Sequence, residues 1–268
     1  MGINDEEYIS FDQFAENYDF TRDISDVLLK MFMKSFLELF DPVEKIKNIL
    51  EIGCGTGRVS KIFASQNYSV TGVDISSKML DIALQKAQRE NWNFRGILSD
   101  ARKLPFKKNE FDVAYTVHVL HLVKDWKKVI QEALRCSHNR FINVFMERRI
   151  FSTDIMKNYW KFINEHDTNH DFRSDNKLGA KDTQEVIDYM NSINYSYHDK
   201  EFEINTQIDK QMLIKIVKLK AFSSQRFIPD AIHSHAMLYL KENDFFLPDT
   251  DKVVVAERGA IFSFFKDG

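Results

Sequence analysis

Three glycines fall within five positions at Gly53-Cys54-Gly55-Thr56-Gly57, in a chain of 268 residues that has only nine. The apolar run Ile49-Leu50-Glu51-Ile52 leads straight into them, which predicts a strand, a tight turn and then a helix. Glycine at such a turn permits positive φ and lets a ligand touch the backbone, and a following helix N-terminus offers free N–H groups to an anion. A plain turn without a ligand is the competing explanation, but one glycine usually suffices for that.

Two acids fall where a nucleoside would need them. Asp74 ends the next apolar run, at the tip of a second strand, where a carboxylate accepts hydrogen bonds from ribose hydroxyls. It is also an acid at a helix start before Ser76, and the two roles are compatible. Asp100, in Leu98-Ser99-Asp100-Ala101 beyond the third strand, is an acceptor suited to an exocyclic adenine amine, with loop capping as its alternative. Ser99 and Ala101 would add backbone contacts. A dinucleotide turn of the GxGxxG kind would place its third glycine at position 58, where this chain has Arg58. The spacing is GxGxG, which counts against an NAD-dependent oxidoreductase.

The elements that must position these residues read as alternating strands and helices, the signature of a parallel sheet. Strands are expected at Asn48 to Ile52, Ser69 to Asp74, Asn93 to Leu98, Phe111 to Thr116 and Arg140 to Phe145. Met79, Leu80, Ala83, Leu84 and Ala87 share one helical face, and so do Trp126, Val129, Ile130, Ala133 and Leu134. Ahead of the sheet, Ile24, Val27, Leu28, Met31 and Ser35 form a helical stripe ending near Asp41-Pro42. After residue 146 the alternation is lost. Helical patterns cover Ser152 to Glu165, Asp182 to Asn191, Ile208 to Phe222 and Asp230 to Leu240, with a strand at Tyr197 to Ile204 and a last apolar run from Val253 to Phe264.

The chain resembles the class I S-adenosylmethionine-dependent methyltransferases, in particular the small-molecule branch called methyltransferase type 11, over Phe11 to about Phe145. The resemblance rests on Phe14-Ala15-Glu16-Asn17-Tyr18-Asp19, Leu50 to Gly57, Gly72-Val73-Asp74-Ile75-Ser76, Ser99-Asp100-Ala101 with Leu104-Pro105-Phe106, and Phe111-Asp112-Val113. It implies a Rossmann-like α/β fold: a seven-stranded, mostly parallel sheet with helices on both faces, an antiparallel last strand and a helical lid. Residues 1–145 would be the cofactor-binding core, and 146–268 the lid helices and last two strands of the same fold. It implies S-adenosylmethionine as cofactor, its methionine part on the turn formed by Glu51, Gly53, Cys54, Gly55 and Gly57. Asp74 would hold the ribose diol, Ile75 and Met79 the adenine faces, and Ser99, Asp100 and Ala101 the adenine edge, while Tyr18 closes over the cofactor. Val117 and the segment to Trp126 would lie beside the methyl group, and His118 is expected to face the acceptor as a general base or orienting partner, with His121 as competitor. No Asn-Pro-Pro-Tyr type motif follows the fourth strand, which argues against amino-group methylation of adenine, cytosine or glutamine. Cys136-Ser137-His138-Asn139 departs from the family's usual leucine, lysine, proline and paired glycines.

The bulk numbers agree with a small-molecule enzyme. With 44% hydrophobic and 29% charged residues the chain is an ordinary globular one. A net charge of −3 lacks the basic excess that nucleic-acid binders use, so neither nucleic acid nor membrane is an expected partner. Cys54 and Cys136 are too few for a disulfide framework, and the acids Asp5, Glu6 and Glu7 do not read as a signal peptide, so a cytoplasmic location is expected. No metal site is expected, and His166, His170, His198, His233 and His235 read as surface or lid residues. A non-catalytic cofactor-binding module is the rival to an enzyme acting on a small-molecule acceptor; the spacing leaves the oligomeric state open.

Overall fold

The computed structural model describes residues 12–21, 25–39, 46–138, 140–150, 153–166, 178–220, 225, 228–246 and 252–266. Seven strands form one sheet: β1 (Asn48–Ile52), β2 (Ser69–Asp74), β3 (Phe94–Leu98), β4 (Val113–Val117), β5 (Phe141–Ile150), β6 (Ser196–Asp209) and β7 (Lys252–Phe265). Their order is β3-β2-β1-β4-β5-β7-β6. The first five are parallel, and β7 runs antiparallel between β5 and β6. The order reverses at β1, so the carboxyl ends of β1, β2 and β4 open a crevice there, the place where open α/β sheets take their ligands.

Around the sheet stand α1 (Tyr18–Thr21), α2 (Asp26–Leu37), α3 (Ser60–Ala64), α4 (Ser77–Glu90), α5 (Trp126–Cys136), α6 (Asp154–His166), α7 (Thr183–Ser192), α8 (Lys210–Lys218) and α9 (Asp230–Glu242). The α4 helix starts where the Ser76 hydroxyl accepts the Met79 N–H at 3.1 Å, and it stops at Asn91 in the left-handed conformation. One face of the sheet packs on α5 and α7 through Leu50, Ile130, Phe141 and Val186; the other packs on α2 and α3 through Ile49, Phe32, Phe63 and Val144. The face α2 buries differs from the expected stripe. Leu28, Leu29, Phe32 and Phe36 are buried and Val27 is half exposed, because Phe32 and Phe36 join Phe63 and Tyr115 in an aromatic cluster with ring centres 4.7 to 6.3 Å apart. Ile24 and Asp41-Pro42 lie outside the described residues.

β5 passes beyond its expected end. Phe141 to Val144 pair with β4, and Phe145 to Ile150 continue against β7 alone, roughly 20 Å past the parallel strands. β6 follows β7 for its whole length, so the helix expected from Ile208 begins only at Lys210. On this extension α6, α8 and α9 form a third apolar cluster around Ile155, Tyr159, Leu213 and Leu240, whereas α7 belongs to the main core. Among the described residues, no helix is long and apolar enough to cross a membrane.

Candidate functional site

A pocket opens at the carboxyl ends of the parallel strands, and three chain segments dictate its polar rim. Gly53 and Gly55 both have φ in the left-handed region, at 74° and 54°. A Cβ on Gly53 would stand 2.3 Å from Val119, so this position excludes any side chain. A Cβ on Gly55 would meet only the Tyr18 ring, at 4.0 Å, so the bare backbone of Gly55 leaves room beneath that ring. The third glycine, Gly57, carries the turn into α3 and does not line the pocket. The helix it enters has five residues, too short to be the anion-holding helix that the turn suggested.

Asp74 wires this turn to the next. One carboxylate oxygen accepts the Gly55 N–H at 2.7 Å and the other the Ser76 N–H at 2.9 Å. Burial pushes its pKa up, and the backbone donors pull it back down. A carboxylate offers about four acceptor positions, so two remain for hydroxyls from the pocket. Ile75, Ser76 and Met79 follow on the pocket wall, and the Ser76 hydroxyl also bonds to the Asp12 carboxylate of the N-terminal segment. That segment is held a second time by Asp19, which accepts the Thr56 hydroxyl at 2.5 Å and pairs with Lys86. These ties place Tyr18 over the pocket. Ser99, Asp100 and Ala101 complete the rim. Burial would raise the Asp100 carboxyl, yet the Arg102 guanidinium and N–H, with bonds of 2.7 to 3.1 Å, hold it below its usual range.

Glu51 and Cys54, expected on the cofactor, do not line the pocket. The buried Glu51 carboxylate accepts the Ser60 hydroxyl and, at 2.7 Å, the Tyr115 hydroxyl, and burial lifts its pKa to about 7. The Cys54 thiol packs against Gly72, where an added Cβ would stand 2.7 Å away. Alternation along β1 turns Glu51 into the layer beneath the turn.

The other rim, after β4, is apolar: Val117, Val119, Leu122 and Val123 line it together with His118. His118, expected to face the acceptor as a general base or orienting partner, lines the pocket. His118 takes a left-handed φ of 57°, and its Nε2 lies on the Met146 main chain, accepting that N–H at 3.0 Å. Its ring packs on Phe145, with centres 5.1 Å apart, and edge-on to His121 at 6.2 Å. Gly179 braces the same loop from outside, donating its N–H to the His121 carbonyl at 3.2 Å, while Ala180 donates to the Leu120 carbonyl at 3.0 Å. His233, read as a surface or lid residue, is buried in the third cluster, where the Tyr159 hydroxyl bonds to its Nδ1 at 2.7 Å. His170 lies outside the described residues.

Val117 was singled out from sequence, whereas Ser76, Val119, Leu122 and Val123 were not, although Val117 to Trp126 had been marked as a segment. Thr56, Lys86 and Arg102 carried no local signal, since their partners are set by the fold.

Residues 50–140 match the family model described as a methyltransferase domain. An uncharacterised protein of Methanocaldococcus jannaschii is 37% identical over 125 residues, 47% of this chain and 54% of its own. A demethylmenaquinone methyltransferase of Chlamydia pneumoniae is 34% identical over 127 residues, again 47% of this chain and 54% of its own. The chain thus spans about half the length of the curated relatives it matches. A solved phosphoethanolamine N-methyltransferase of Haemonchus contortus, in complex with phosphomonomethylethanolamine and S-adenosylhomocysteine, shares the fold with a TM-score of 0.54 at 15% identity, over 96% of this chain and 58% of that one. Residues 50–140, which carry the glycine turn and the first four strands, are thus similar in sequence to a methyltransferase domain, and the whole sheet has the fold of a solved methyltransferase.

Proposed function

We propose that the chain transfers a methyl group from S-adenosylmethionine to a small-molecule acceptor. The observation that carries this reading is the division of one pocket into two rims: the glycine turn after β1 with the carboxylates Asp74 and Asp100 after β2 and β3, and an apolar loop after β4. Asp74 would hold the ribose diol on its two remaining acceptor positions, Ile75 and Met79 the adenine, and Ser99 to Ala101 the adenine edge. The backbone at Gly53 and Gly55 would carry the aminoacyl tail, under Tyr18. The cofactor, when bound, supplies a methyl group already activated on a sulfonium.

The protein's own task is therefore to orient and to exclude water. Holding two reactants in attack geometry can lower a barrier by about 7 to 11 kcal/mol without an acid or a base. Val119, Leu122 and Val123 keep the β4 rim dry, and His118 fixes the loop they stand on through Met146. The α6, α8 and α9 cluster, carried past the sheet edge by β5 and β7, would act as the lid over the acceptor.

Calorimetry with S-adenosylhomocysteine tests the reading: binding in the micromolar range and none by NADH is the expected result. Mass spectrometry of a panel of quinol, phenol and amine acceptors with S-adenosylmethionine should then show a gain of one methyl group. No binding at millimolar S-adenosylhomocysteine, or a preference for NADH, would overturn it.

A further inference from the structure

The part of the chain that carries Tyr18 is tied down on both sides of the crevice. On one side, Asp12 bonds to Ser76 after β2, and Asp19 to Thr56 in the glycine turn. On the other, Ser25 docks on Glu257 of β7: its N–H lies 3.3 Å from each carboxylate oxygen, and its hydroxyl donates to one of them. In the sheet order this second tie lies beyond β4 and β5. Glu257 stands opposite Arg148 of β5, past the stretch of β5 that pairs with β4, and the same β7 strand puts Val253 into the α6, α8 and α9 cluster. The Tyr18 segment therefore bridges the cofactor turns and the strands that bear the lid.

Glu257 is buried, and a carboxylate out of water is stable only where donors are held for it. Ser25 supplies two of them. The Ser25 hydroxyl oxygen also accepts the Leu28 N–H at 3.2 Å as the N-cap of α2, while its single proton is committed to Glu257. A negative charge at the start of α2 is favoured by the helix dipole as well. The first turn of α2 thus cannot shift without breaking the cap or the tie. Neither Ser25 nor Glu257 lines the pocket, so any effect they have on a ligand passes through Tyr18, which does.

Resting on the function proposed above, in which Tyr18 closes over the cofactor, we infer that Glu257 is a positioning residue: through Ser25 it holds the Tyr18 segment closed, and so couples the lid-bearing strands to cofactor affinity. The coupling runs both ways, because whatever holds Tyr18 down also holds β7 in place.

Calorimetry with S-adenosylhomocysteine tests this with variants that separate the tie from the cap. Ser25→Asp keeps a capping oxygen but sets a second negative charge against Glu257, whereas Ser25→Asn keeps the cap and can donate from its amide. Affinity should fall by roughly fivefold or more in Ser25→Asp and in Glu257→Gln. In Ser25→Asn it should stay within about twofold of wild type, and in a Tyr18→Ala background Ser25→Asp and Glu257→Gln should each change it by less than about twofold. A merely structural role would instead add its loss to that of Tyr18→Ala. Wild-type affinity in folded Ser25→Asp, no rescue by Ser25→Asn, or an undiminished effect without the Tyr18 ring would overturn the role of Glu257 and leave the methyltransferase reading standing. The two Ser25 variants decide the matter if Glu257→Gln fails to fold. No binding of S-adenosylhomocysteine by the wild type would overturn both.

Discussion

The two rims of the pocket are held in place by different means. After β1 and β2 the partners are close in sequence or on adjacent strands: Asp74 to Gly55 and Ser76, Ser76 to Met79. After β4 the loop is held by distant chain, with Met146 under His118 and Gly179 against Leu120 and His121. The first rim is polar, its turns bonded to each other and, through Asp12 and Asp19, to the N-terminal segment, which suits a ligand that stays the same. The second is apolar and depends on segments beyond the matched domain, so its shape can change with the acceptor while the first rim is preserved.

Removing Asp74 should have the largest effect on this contrast. In Asp74→Ala the affinity for S-adenosylhomocysteine should fall by roughly ten- to a hundredfold, since each charge-assisted hydrogen bond contributes about 1.5 to 3 kcal/mol. Unchanged affinity in a folded variant would mean that the carboxylate only fastens the turns to each other.

Glu51, beneath the same rim, gives a pH signature. Its folded pKa of about 7 lies above the usual 4.5, so its contribution to stability is complete below pH 4.5 and is lost as pH rises through 7. The loss is on the order of 3 kcal/mol. Thermal unfolding should show wild type losing stability between pH 5 and 8, while Glu51→Gln, which still accepts from Ser60 and Tyr115, shows a flatter profile. Parallel profiles would place the ionisation elsewhere.

On the apolar rim, Gly179→Ala places a Cβ 2.0 Å from the Leu120 carbonyl oxygen, a contact that backbone must yield to relieve. Stability should drop by about 1 to 3 kcal/mol, with turnover reduced and affinity for S-adenosylhomocysteine kept within about threefold. Equal damage to affinity would dissolve the distinction between the rims.

His118→Ala should have the smallest effect. A general base contributes about 10² to 10⁴ in rate, whereas a ring that fastens the loop to Met146 should be worth less than about tenfold, evenly from pH 6 to 9. A larger loss that grows as pH falls below 7 would restore His118 as a base.

The same contrast explains what the sequence could tell. The ends of β1 and β2 were legible to the residue because glycines and Asp74 stop the apolar runs there, and Asp74 ahead of Ser76 marked the start of α4. The antiparallel β7 came from family resemblance and not from pattern. The far part of β5 was hidden because Glu147-Arg148-Arg149 interrupts its apolar run, and the end of β6 past Ile204 because an edge strand buries little beyond Phe202. The buried face of α2 could not be read from periodicity alone, since Phe63 and Tyr115, which select Phe32 and Phe36, are set by the sheet. His118 was legible as a position and not as a role, because its partner is 28 residues away.

Hydrogen exchange with and without S-adenosylhomocysteine tests most directly the claim that the β1 to β3 rim is the cofactor's and the β4 rim the acceptor's. Amides of Gly53 to Gly57, Ile75 to Met79 and Ser99 to Ala101 should slow markedly on binding, with a smaller change from Val119 to Val123 until an acceptor is added as well. Protection confined to Val119 to Val123, or absent from the glycine turn, would contradict the account.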